Sequence, residues 1–151
     1  MLHELNIYIG SALAKGSAAI IIATQDHLDT FAHALKRNGI DISKATVDGR
    51  YIPLNATEFL SKFMVEGVPD PRLFTEVVGG VINRAAEASH SKDHRLVAFG
   101  EMVALLWAEG QPEAALKVRS YGMNWRRSIL SLCIVLILCR NFVASRTMTR
   151  C

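Results

Sequence analysis

Three short polar segments follow apolar runs: Thr24–His27 after Ala18–Ala23, Asn55–Glu58 after Tyr51–Leu54, and Gly100-Glu101 after Leu96–Phe99. In open parallel sheets, ligands bind beyond the carboxyl ends of the strands. Thr24, His27, Asn55, Gly100 and Glu101, together with Trp107 on the segment that follows, are therefore the candidate ligand-binding residues. Each of the larger side chains has a plainer account. Thr24 and Asn55 suit helix N-caps, His27 a solvated first turn, and Trp107 the core. Glu101 makes the sharpest case, because a carboxylate at the end of a buried strand is what ATPase-type sheets place there.

What would turn such a sheet into an enzyme is missing. A phosphate loop needs GxxxxGK[ST], whose backbone N–H groups and lysine hold phosphates. The nearest text, Gly10 to Ser17, has the wrong order and follows a helix rather than a strand. No GxGxxG, HExxH, GxSxG or CxxC occurs. His90 and His94 are four residues apart but sit in a Ser/Lys/Asp loop, which is a poor metal pair. The reading is a ligand-binding protein without catalytic activity, cofactor or metal.

Alternating strands and helices must position these residues. Leu5, Ile9, Ala12 and Leu13 have helical spacing, and Gly16 is placed to end that helix. Ala18–Ala23 is continuously apolar and rich in β-branched residues, as a strand buried on both faces should be. A helix follows with Leu28, Phe31 and Leu35 inward, Lys36 and Arg37 in its last turn and Gly39 at its C′ position. Ile42–Val47 forms a helical turn before Asp48-Gly49, and Pro53 marks Tyr51–Leu54 as a strand end or edge.

Asn55 and Glu58 then have capping-box spacing, and the helix they open carries Phe59, Leu60, Phe63 and Met64 inward. Asp70-Pro71 opens a helix running to Ser89, in which Gly79-Gly80 predicts close packing or a kink. A third strand at Leu96–Phe99, a helix at Met102–Ala108 ended by Gly110, and another opened by Gln111-Pro112 complete the pattern. The expectation is an α/β three-layer sandwich with a mostly parallel sheet.

The net charge of +3 hides two unlike pieces. Residues 1–118 hold eleven Lys/Arg and all fourteen acids, whereas 119–151 hold six arginines, no acid and all three cysteines, Cys133, Cys139 and Cys151. The apolar run Ile129–Cys139 falls well short of the roughly 20 residues of a spanning helix. Six scattered arginines without a helix-turn-helix or aromatic platform make no nucleic-acid site. No secretory signal follows Met1, so the expected location is cytoplasmic.

Several blocks carry a family resemblance: Ala14 to Thr24 (AKGSAAIIIAT) with QDHLD, Gly49 to Ala56 (GRYIPLNA), Phe63 to Asp70 (FMVEGVPD), and above all Phe99 to Gly110 (FGEMVALLWAEG). Between Leu5 and Val118 the chain resembles the MEDS domain, a sensory domain of regulators in methanogens and methylotrophs. The resemblance implies a RecA-like fold without a phosphate loop. It also implies a place in bacterial two-component signal transduction, with a histidine kinase or response regulator as partner and an undefined small molecule as signal. The other readings are a degenerate nucleotide-binding enzyme, with Glu101 as its residual acid, and a decayed fragment without function.

Two departures qualify the resemblance. Family members begin with a strand bearing a His and an aromatic pair, whereas this chain opens in the first helix, so a truncated domain is expected. Beyond Val118 the family continues its last helix with Leu-Trp-x-Glu-Leu and adds a strand. A back-translation of Val118–Cys139 read from the third base of the Val118 codon gives Glu-Glu-Leu-Trp-Asn-Glu-Leu-Ala-Lys-Lys-His, an acid-rich amphipathic helix of that kind. The expectation is a partial sensory domain over 1–118 and a tail over 119–151 of out-of-frame origin, with low solubility or oligomerisation as the consequence.

Overall fold

A computed structural model describes the backbone of residues 2–90, 96–128 and 134–138, with side chains from residue 3 to 90 and 96 to 123. The helices are α1 (Leu2–Ala14), α2 (Gln25–Arg37), α3 (Ile42–Val47), α4 (Ala56–Ser61), α5 (Pro71–Ala88), α6 (Met102–Ala108) and α7 (Pro112–Ser128). The strands are β1 (Ala18–Ala23), β2 (Tyr51–Asn55), β3 (Met64–Val65), β4 (Val68–Pro69), β5 (Leu96–Gly100) and β6 (Ile134–Leu138). The fold is mixed α/β. Its main sheet has the order β2-β1-β5-β6, with every pairing parallel, while β3 and β4 form a separate antiparallel hairpin.

Sequence pattern explains the sheet. All six residues of β1 are buried, and they alternate between two apolar clusters. Ala18, Ile20 and Ile22 join one cluster with side chains of α4, α5, α6 and α7, while Ala19, Ile21 and Ala23 join another with side chains of α1, α2 and α3. A strand covered on both faces has no use for a polar side chain, which is why no alternation appears in the text. Pro53 stands opposite Ile21 on the outermost strand β2, where a missing N–H breaks no ladder on the open side.

The helix signals act as read at several points. Leu5, Ile9 and Leu13 are buried, as are Leu28, Phe31 and Leu35. Gly16 and Gly39 take positive φ, at 86° and 82°, in the turns that end α1 and α2. Asp70 accepts the Arg72 and Leu73 N–H groups, each at 2.9 Å, with Pro71 in the first turn of α5.

Elsewhere the structure corrects the reading. α4 stops at Ser61, and Phe63 to Asp70 turns back as the β3–β4 hairpin. Glu66 and Gly67 take φ of 50° and 77°, the pair of positive values that a type I′ hairpin turn requires. Phe63 remains fully buried, so its inward placement holds without the helix; Met64 is half-buried. The close packing expected at Gly79-Gly80 is not found at Gly80, where a Cβ would meet nothing within 4 Å, and α5 continues through both glycines. Apart from these corrections, α7 runs through Val118, and β6 is the fourth strand of the sheet; neither bears on the expected out-of-frame origin of residues 119–151.

An edge-to-face series of rings ties the hairpin to the helices. Phe59–Phe63, Phe63–Phe74 and Phe74–Tyr121 have centroids 6.2, 5.2 and 5.6 Å apart. The Tyr121 hydroxyl donates to the Pro69 carbonyl at 3.2 Å. One wall of the apolar cluster beneath α5 and α7 is thus built from aromatic rings.

Candidate functional site

The strand order creates one place where the chain diverges. From β1 it goes on to β2, and from the adjacent β5 it goes the other way, to β6. α2 leaves β1 into one apolar cluster, and α6 leaves β5 into the opposite one. Between two neighbouring strands whose connections part to opposite faces, a crevice opens at the carboxyl ends. Thr24–His27 lines it from the β1 side and Gly100-Glu101 from the β5 side.

Glu101 bridges that crevice. Its N–H donates to the Ile22 carbonyl at 2.9 Å, extending the β1–β5 ladder by one bond. The side chain is buried, at 6% exposure of the residue. Oε1 lies 2.6 Å from His27 Nδ1, and Oε2 accepts the Thr24 N–H at 3.2 Å. Both carboxyl oxygens are thus met by the cap and first turn of α2, as a buried polar group requires. His27 is half-exposed, so the pair reaches from the interior to solvent.

The other candidates divide. Thr24 occupies the N-cap position of α2, but its side chain makes no capping bond; its backbone N–H serves Glu101 instead. The capping expectation for Thr24 is thereby corrected. Asn55, opposite Ala23 in the sheet, accepts the Thr57 and Glu58 N–H groups on its Oδ1 at 3.0 and 3.2 Å, so it is committed to α4. Gly100 pairs with Ile22 and offers a backbone surface without a side chain. Trp107 is 52% exposed, which overturns the core reading for it. The structure thus assembles Thr24, His27, Gly100 and Glu101 and leaves Asn55 and Trp107 outside the group. His90 lies in a loop and donates its N–H to the Gly16 carbonyl, and His94 falls outside the described residues. Among the described residues no cluster of three metal-ligating side chains occurs.

A cavity missed by the sequence reading adjoins this crevice. Ile20 and Ile22 of β1, Ala98 and Gly100 of β5, Phe59 of α4, Phe74 and Val78 of α5, Met102 of α6, and Val118 and Gly122 of α7 are among the residues lining it. Its volume is about 60 Å³. A water needs roughly 10–15 Å³ of such space and two to four polar partners. The cavity has the room but its lining side chains are all apolar, so it suits an apolar occupant. A larger groove of about 290 Å³ runs between α1 and α2 past His3, Asn6, Thr30 and Arg37, and none of the six candidate residues lines it.

A family comparison bears on this arrangement. The model of the MEDS family, described as the methanogen/methylotroph DcmR sensory domain, matches residues 1–140. The chain belongs to the MEDS family. For this MEDS domain the match runs beyond Val118, where the resemblance read from the sequence ends, and it takes in β6. No curated protein and no solved structure matches the chain. No helix among the described residues is long and apolar enough to cross a membrane.

Proposed function

We propose that this MEDS domain is a non-catalytic sensory module that takes a small, uncharged, apolar molecule into the cavity behind the β1–β5 crevice. The observation that carries the reading is the cavity itself, walled by apolar side chains and ending at Gly100 beside the Glu101–His27 pair. A sheet with apolar clusters on both faces and its ligand region at the strand ends supports a three-layer, RecA-like sandwich without a phosphate loop. In this reading the domain acts in the bacterial cytoplasm, and its output passes to a histidine kinase or a response regulator.

The competing reading, a nucleotide-binding relic, asks the strand ends to hold phosphates. Both oxygens of Glu101 are engaged by its own chain, and the residue before it is a glycine without the phosphate-loop sequence around it. Calorimetric titration with Mg²⁺-ATP separates the two, because the sensor reading predicts no binding. Thermal unfolding under xenon pressure gives the complementary arm, since a ligand that binds only the folded state raises Tm. Tight Mg²⁺-dependent ATP binding with no response to xenon would overturn the proposal.

A further inference from the structure

The cavity and the Glu101 carboxylate adjoin one short stretch of backbone. Gly100 and Met102 line the cavity, while the side chain between them reaches the β1–α2 turn. Ile22 lines the cavity too, and its carbonyl accepts the Glu101 N–H. Any displacement of this wall therefore moves Glu101. The Glu101 contacts in turn fall on Thr24 and His27, the cap and first turn of α2, on the far side of the sheet from the cavity. Close-packed interiors transmit such displacements rather than absorb them.

We propose that Glu101 is a coupling residue: its carboxylate binds the β5–α6 turn to the β1–α2 turn, so that filling the cavity shifts the N-terminus of α2. The proposal rests on the reading of the cavity as the ligand site. α2 packs against α1 through Gly10, where an added Cβ would stand 3.5 Å from Leu35, so movement of α2 is passed on to a surface helix. The coupling works through geometry and hydrogen bonding and needs no bond making.

Xenon serves as the probe, with backbone amide spectra of the full chain recorded under increasing gas pressure. In the native chain, shifts are expected at Ile20, Val81 and Val118 in the cavity wall and also at Thr24–Leu28. Two variants loosen the tie in different ways. Glu101→Gln keeps the shape and removes the charge, and His27→Ala removes the partner at a half-exposed position that tolerates truncation. Each is expected to keep the shifts at the wall and to lose half or more of those at Thr24–Leu28. Undiminished shifts at Thr24–Leu28 in both variants, or none there in the native chain while the wall responds, would overturn the coupling alone. A wall that never responds in the native chain would overturn the cavity reading and the coupling with it.

Discussion

Replacing Gly122 by alanine adds one methyl group at the wall of the cavity. Gly122 lies within α7, carries no positive φ, and a Cβ built on it meets no heavy atom within 4 Å. Two effects then act in the same direction. Alanine is favoured over glycine inside a helix by about 1 kcal/mol. Burying a methyl adds up to about 0.8 kcal/mol, less whatever dispersion is forgone for want of close neighbours. The sum lies between about 1 and 2 kcal/mol, which for a chain of this size raises Tm by roughly 3–6 °C. Thermal unfolding followed by circular dichroism measures it. The same methyl takes up space in the cavity, so the rise in Tm under xenon should shrink. A lower Tm than the native chain would show that the space beside Gly122 is already filled, and the cavity argument would fail at its wall.

Other outcomes follow from single contacts. Tyr51 is buried, its hydroxyl has no hydrogen-bond partner among the described residues, and burial raises its pKa above the ordinary 10.0. The folded chain thus holds this proton to higher pH than the unfolded chain, so stability is whole below pH 10.0 and falls as pH climbs toward the raised value. Tyr51→Phe should flatten that loss in alkaline melts and stabilise the fold at neutral pH by about 1 kcal/mol; a clear destabilisation would mean the hydroxyl has a partner. Asp70→Ala removes the acceptor for two N–H groups of α5 and should cost about 1 kcal/mol in denaturant titrations, whereas an unchanged midpoint would contradict the cap. An out-of-frame origin for residues 119–151 predicts that genomic DNA, read from the third base of the Val118 codon, encodes an acid-rich helix; resequencing the gene decides it, and a shifted frame without that helix refutes it.

Features set by neighbours in the chain were legible in the sequence. The unbroken apolar run of β1, the Asp70-Pro71 start of α5 and the glycines closing α1 and α2 act within a few residues, and the structure agrees with each. The β3–β4 hairpin escaped notice because Phe63 is buried whether the chain continues as helix or turns, and Glu66 supplies a left-handed φ that glycine or asparagine normally would. Glu101 and His27 were each visible as candidates, but 74 residues separate them, and only the parallel pairing of β1 with β5 brings them together. The cavity was beyond reach for a related reason. Its walls come from β1, β5 and α4 to α7, and apolar residues around a void read the same as apolar residues in a filled core. Trp107 shows the converse, a large ring on an apolar segment that the short α6 turns outward.

The most direct test of the sensor reading is a crystal structure of the full chain under xenon pressure. The account predicts a xenon peak enclosed by Phe59, Phe74, Val78 and Val118, with Gly100 at its edge. Xenon bound at other sites while that space stays empty, or side chains closed over it, would contradict the account.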